Sequence, residues 1–252
     1  MEPSLADKLQ SPLVTFRLGA AGMPVIIHSG VIADLSDLLR ALIDRSVNDG
    51  TQKVIRIPEV AQDDFLRLCE FAYSAEYTVP TYEIDEDDNE EEGVNDEGGD
   101  SKNTDNGSEE KMDSSNSGPR IPSIMPTLVA HARMYRLAAK YLIEPLGEEA
   151  LASIHHTCVD LFEHGTEKPG DVVELIRIAY EDPTAPEGTA GGGRNMTRLQ
   201  WYVVLIAATL SNAKALDESL EFRRILEKGG EFVVSFWQCS RSLDEVRKAA
   251  GL

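Results

Sequence analysis

The chain is poor in three things, and each shortage removes a class of function. It has 3 cysteines in 252 residues, Cys69, Cys158 and Cys239, far apart and none in a C-x-x-C pair. That usage predicts neither a disulfide framework nor a thiolate metal site, and a reducing compartment, cytoplasmic or nuclear, follows. Basic residues are scarce, 24 Lys and Arg against 44 Asp and Glu for a formal charge of −20. They are also dispersed (Arg40 and Arg45, Arg133 and Arg136, Arg223 and Arg224), so the clustered cations that neutralise nucleic-acid phosphates are missing. Long apolar runs are missing too. The longest, Trp201 to Leu210, is half the length of a bilayer span, and the start Met-Glu-Pro-Ser-Leu-Ala-Asp has no signal-peptide character. No membrane and no nucleic acid is expected as a partner.

What is present is uneven. Fifteen acidic residues fall between Glu83 and Asp113, opposed only by Lys102 and Lys111, which leaves 29 acidic and 22 basic residues elsewhere. From about 83 to 122 the apolar pattern stops, with Val94 and Met112 almost the only apolar members past Ile84. Such a stretch buries too little surface to offset its backbone entropy, and the composition predicts disorder. Polyelectrolyte tracts of this kind engage basic partners such as histones, or simply keep a domain soluble. Residues 1–12 are likewise expected to be a disordered N-terminus.

Around that insert the periodicities are regular. Residues 13–18 and 23–27 read as strands about the turn Gly19-Ala-Ala-Gly22, and 53–57 (Lys-Val-Ile-Arg-Ile) as a third strand after a turn at Asn48-Asp-Gly50. Val31, Ile32 and Leu35, then Leu38, Leu39, Leu42 and Ile43, predict a helical pair. Phe65, Leu68, Cys69 and Ala72 face one side of a helix over about 61–75. Leu128, Ala132, Tyr135, Ala138 and Leu142 form another stripe, punctuated by Pro145, and Leu146, Ala150, Ile154, Cys158 and Leu161 the next. The expected core includes Phe65, Leu68, Phe71, Leu128, Tyr135, Leu137 and Ala138. The fold class is α+β and mostly helical, a small N-terminal sheet capping a cluster of helices. There is no internal repeat.

Three stretches carry a family resemblance. Cys69-Glu-Phe-Ala-Tyr-Ser-Ala-Glu-Tyr77 resembles "L-x-F-x-Y-T-G-x-Y", and His131-Ala-Arg-Met-Tyr-Arg-Leu-Ala-Ala-Lys-Tyr141 resembles "H-x-x-V-Y-x-L-A-x-K-Y". Val25-Ile-Ile-His28-Ser-Gly-Val31-Ile32-Ala33-Asp-Leu-Ser36 is similar to "V-H-K-x-V-L-x-x-x-S". Together, in this order, they resemble the BTB/POZ family. Val173-Glu-Leu-Ile-Arg-Ile-Ala-Tyr180 and Gly230-Glu-Phe232-Val-Val-Ser-Phe-Trp237 extend the likeness to fungal BTB proteins with a helical tail. The resemblance implies a BTB/POZ domain over 13–164, interrupted by the insert 83–122, and a helical C-terminal extension over 165–252. It also implies a protein–protein interaction module with no catalysis, cofactor or small-molecule substrate. In ligase adaptors of the family a hydrophobic-x-Glu motif contacts a cullin. Aligning Leu39-Arg-Ala-Leu-Ile43 onto their "F-R-A-M-F" places Val47-Asn-Asp49 on that motif, with Asp49 one methylene short. Dimerising members carry an Asp and a basic residue where this chain has Pro12 and Ser29, so self-association by that charged pair is not implied. The partner contact surface is therefore expected at Val47, Asp49, Tyr73 and Tyr77, although the two tyrosines, as family aromatics, read first as core.

Other constellations have plainer readings. By the resemblance, His28 seats the first helix against the sheet, and a catalytic base would need a positioned partner. His155, His156, Cys158 and His164 look like a metal set in one dimension. On a helix, however, neighbours such as His155 and His156 diverge by about 100°. Gly191-Gly-Gly193-Arg-Asn lacks the Gly-Lys-Ser/Thr end of a phosphate loop and reads as a connector.

Overall fold

The computed structural model describes residues 4–49, 52–80, 124–164, 169–180, 196–212, 216 and 219–250. The insert 83–122 and Gly191–Gly193 lie outside the described residues. The expected α+β, mostly helical class is what the chain adopts: one small sheet and a large helical assembly.

The sheet has four strands, β1 (Leu13–Leu18), β2 (Met23–His28), β3 (Val47–Asp49) and β4 (Gln52–Ile57), in the order β2-β1-β4-β3. β1 pairs antiparallel with β2 and parallel with β4, and β3 folds back antiparallel on β4. A parallel pair needs a crossover. The helices α2 (Ser29–Ala33) and α3 (Asp37–Arg45) supply it, the latter capped by the Ser36 hydroxyl, which accepts from the Leu39 N–H. Gly19, at φ 61°, turns the first hairpin and donates its N–H to the Val60 carbonyl, so the turn also receives the loop after β4. Alternation puts Val14, Phe16 and Leu18 on the inner face.

The strands at 13–18, 23–28 and 52–57 match the pattern, but β3 was expected to be a turn. Asn and Asp are poor strand formers. Here the pairing Val47 to Val54 and Asp49 to Gln52 holds them extended, a tertiary override of local preference. The N-terminus is a second correction. Residues 5–9 form a helix, α1 (Leu5–Leu9), rather than a disordered arm. A capping box joins Ser4 and Asp7, Lys8 pairs with Asp34, and the Ser11 hydroxyl accepts from the Gly30 N–H at 2.8 Å. A Cβ on Gly30 would lie 2.9 Å from that hydroxyl, so glycine permits the approach.

α4 (Gln62–Ser74), α5 (Met125–Tyr141) and α6 (Glu144–His164) build the centre, followed by α7 (Pro169–Tyr180), α8 (Arg198–Asn212), α9 (Leu220–Lys228), α10 (Glu231–Arg241) and α11 (Leu243–Ala250). Of the expected core, Phe65, Leu68, Phe71, Leu128, Leu137 and Ala138 are buried, while Tyr135 is half-buried. Two apolar cores result. Under the sheet lie Phe16, Phe65 and Leu68 with Met134, Leu137 and Tyr141 of α5 and Leu146 and Ala150 of α6. The other gathers α7, α8 and α10 around Met125 and Leu128 of α5 and Ile154, Cys158 and Leu161 of α6. The antiparallel α5–α6 pair thus runs through both cores, and the division between the two clusters falls inside these helices. Among the described residues no helix is long and apolar enough to cross a membrane.

Leu142, expected on the α5 stripe, is instead 70% exposed. It ends the helix in the left-handed conformation, φ 55° and ψ 47°, with the Ile143 N–H bonded back to the Ala138 carbonyl at 2.9 Å. That position ordinarily suits glycine, and a side chain there costs about 1–2 kcal/mol.

Candidate functional site

The three sequence stretches that carry the family likeness meet through two tyrosine–histidine pairs. α4 ends at Ala75, also left-handed at φ 62°, and the chain then folds back along the helix. Glu70 Oε2 accepts from the Thr78 N–H and hydroxyl at 2.8 and 2.9 Å, and Arg67 Nε donates to the Thr78 carbonyl. The Thr127 hydroxyl of α5 donates to the Pro80 carbonyl. This return segment delivers Tyr77 to His131, Oη to Nδ1 at 2.8 Å with the rings edge to face. His131 is 7% exposed, and burial, helped by Arg67, pushes its pKa down to about 4. Burial favours the neutral ring, which shares a hydrogen bond with the Tyr77 hydroxyl whose donor is set by the imidazole tautomer. Burial in turn pushes the Tyr77 hydroxyl pKa upward.

His28 stands at the junction of β2 and α2, where it makes no side-chain cap. Its Nδ1 lies 2.8 Å from Tyr73 Oη, again edge to face, which ties the sheet edge to the end of α4. Tyr73 is 40% exposed and available to a partner, whereas Tyr77 is a half-buried packing residue. Val47 and Asp49 sit on the β3 edge, and His28 and Tyr73 at the β2 edge. Three strand spacings, about 14 Å, separate those edges. The four expected contact residues therefore do not form one cluster. Pro12 and Ser29 do come together, the Ser29 N–H donating to the Pro12 carbonyl at 2.8 Å, with no charge at either position.

The His155 and His156 rings sit edge to face with centroids 6.0 Å apart, but only His155 is drawn inward, its Nδ1 3.1 Å from Tyr202 Oη on α8; His156 is exposed, and Cys158 is fully buried with its thiol pKa raised by burial. Cys69 is half-buried, and burial, with Glu70 adding to it, pushes its thiol pKa up to about 12. Neither thiol is poised as a nucleophile. Among the described residues no three of His, Cys, Asp and Glu gather as metal ligands would.

The feature that sequence reading missed is a groove on α6. A cleft of about 760 Å³ between α6 and the start of α8 is lined by Ala152, His155, Met196, Trp201 and Tyr202 among others. A second, about 290 Å³, lies between the end of α5 and α6, with Tyr135, Ala139, Leu142 and Gly147 in its wall. The two share Glu148, Leu151 and Arg198 and so form one depression. Its walls come from residues widely separated in the chain, so no local spacing could announce it. The small residues along 138–152 were the available signal.

Compared with known proteins, the chain matches no family model, no curated protein and no solved structure.

Proposed function

We propose that the chain is a non-catalytic protein–protein interaction module of the BTB/POZ type, acting as an adaptor that recruits a cullin-type ubiquitin ligase. One observation carries the reading. The three stretches that resemble the family, widely separated in sequence, are joined pairwise by His28–Tyr73 and Tyr77–His131, each at 2.8 Å. Residues that resemble a family only by chance have no reason to interlock. The small mixed sheet packed under α4 and α5 supports it as well. The cullin contact would centre on Val47 and Asp49, with Tyr73 outside it at the opposite sheet edge and Tyr77 holding the return segment in place.

A pulldown with the N-terminal domain of a BTB-binding cullin tests the proposal. A charge-assisted hydrogen bond is worth about 1.5–3 kcal/mol, so Asp49→Ala should weaken binding by about tenfold or more, and Asp49→Glu should hold or strengthen it. Wild-type binding that Asp49→Ala leaves intact would reduce Asp49 to a structural role in β3. The acidic stretch supports a second reading, a binder of basic partners such as histones. Deleting 83–122 separates the two: a cullin contact survives the deletion, whereas binding of basic proteins is lost.

A further inference from the structure

The groove along α6 is open and largely apolar. Its floor is made of small side chains, Ala138, Ala139, Gly147 and Ala152, with Leu151 between them, and its rim is aromatic and aliphatic. From Glu144 to His155 it follows about 17 Å of helix, the length of three turns. Two costs are left standing at its rim. Leu142 is held left-handed with its side chain 70% exposed, and Met196 is 39% exposed at the opposite end. Backbone strain and exposed apolar surface thus stand at its two ends. The charge around the groove has a sign. Glu144 and Glu148, one turn apart on α6, have no ionic or hydrogen-bond partner among the described residues, and Arg198 is the one Lys or Arg in the lining, with His155 as the other base.

We propose that this groove receives an amphipathic helix of about three turns from a partner protein, apolar toward Leu151 and Leu142 and basic toward Glu144 and Glu148. Charge argues against a segment of the chain itself. The stretch just before Met196 carries Glu181, Asp182 and Glu187 with no base before Arg194, and the region 83–113 is more acidic still. The site lies on the side of α6 away from Tyr77, which neighbours Glu149 and Ser153. Its lining includes none of Val47, Asp49, Tyr73 and Tyr77, so it is separate from the contact surface proposed above and does not depend on the family reading.

The full chain is panned against a displayed library of helical dodecapeptides, and synthetic copies of the winners are measured by fluorescence anisotropy. Enriched sequences should carry apolar residues at i, i+3 or i+4, and i+7, flanked by Lys or Arg. Ala152→Trp, which fills the larger cleft from an exposed position, should weaken binding by about tenfold or more. Glu144→Lys with Glu148→Lys should weaken it by about fivefold, more steeply at low salt. Leu142→Gly should bind less well while its melting temperature holds or rises, an opposition that a purely structural leucine would not give. The proposal fails if no helical peptide is enriched, if acidic and basic flanks are enriched equally, or if the winners bind Ala152→Trp as well as wild type. It also fails if the chain dimerises and Glu144→Lys with Glu148→Lys abolishes the dimer, since a second copy would then be the occupant.

Discussion

His131 makes the fold acid-sensitive by an amount that can be worked out. Its folded pKa of about 4 lies below the ordinary 6.5, because burial and Arg67 disfavour the imidazolium. Between those values the unfolded chain binds a proton that the native chain refuses. Stability contributed by this group is therefore intact above 6.5 and declines as pH falls toward 4. Evaluating the two binding curves at pH 7 and pH 4.5 gives a loss of about 2 kcal/mol from this one side chain. The comparison is with His131→Gln, whose side-chain amide can still hydrogen-bond the Tyr77 hydroxyl but does not titrate. Asp64, whose pKa burial raises, titrates in both proteins and cancels in the difference. Urea unfolding of both at the two pH values is the assay. The wild type should lose about 2 kcal/mol more than the variant, a shift of roughly 1 M in urea midpoint for a modest m-value. Losses equal to within 0.5 kcal/mol, or an NMR titration of His131 at 6 or above, would refute the account.

Two further outcomes follow from the packing. Phe65 is fully buried with its ring 4.7 Å from that of Phe16, so Phe65→Ala should cost about 3–5 kcal/mol and lower the melting temperature by many degrees in a thermal scan. Limited proteolysis should cut within 83–122 and leave the two pieces associated on a native gel, because α5 is shared with α4 and the sheet; separation of the pieces would contradict the shared core.

Much of this was legible because burial imposes a period. β1, β4, α4 and the α5 and α6 stripes announce themselves by alternation or by 3.6-residue spacing, since each has one wet and one dry side. The exceptions each have a physical cause. α1, Leu-Ala-Asp-Lys-Leu, has no buried residue and depends on a capping box and on Ser11, which no hydrophobic pattern records. β3 contains Asn48 and Asp49 and is extended only because β4 lies beside it. Leu142 continues the helical spacing but not the helix, because the turn to α6 takes its backbone out of register. Tyr73 and Tyr77 were readable as contact or core, and the return of the chain after Ala75 half-buries Tyr77 and leaves Tyr73 exposed. The groove needed tertiary placement of α8 and could not be found from spacing.

The passage of α5 and α6 through both cores has a practical side. A chain cut after His164, as a modular view of the sequence would suggest, keeps the sheet but strips the cover from Ile124, Met125, Leu128, Ala132, Ile154, Cys158 and Leu161. These would form a continuous oily strip on the fragment, a surface that drives clumping at ordinary laboratory concentrations. The helical tail is in this sense a built-in chaperone for the half that precedes it. Whoever expresses the N-terminal half should carry α7 and α8 along, or repaint that strip with polar side chains.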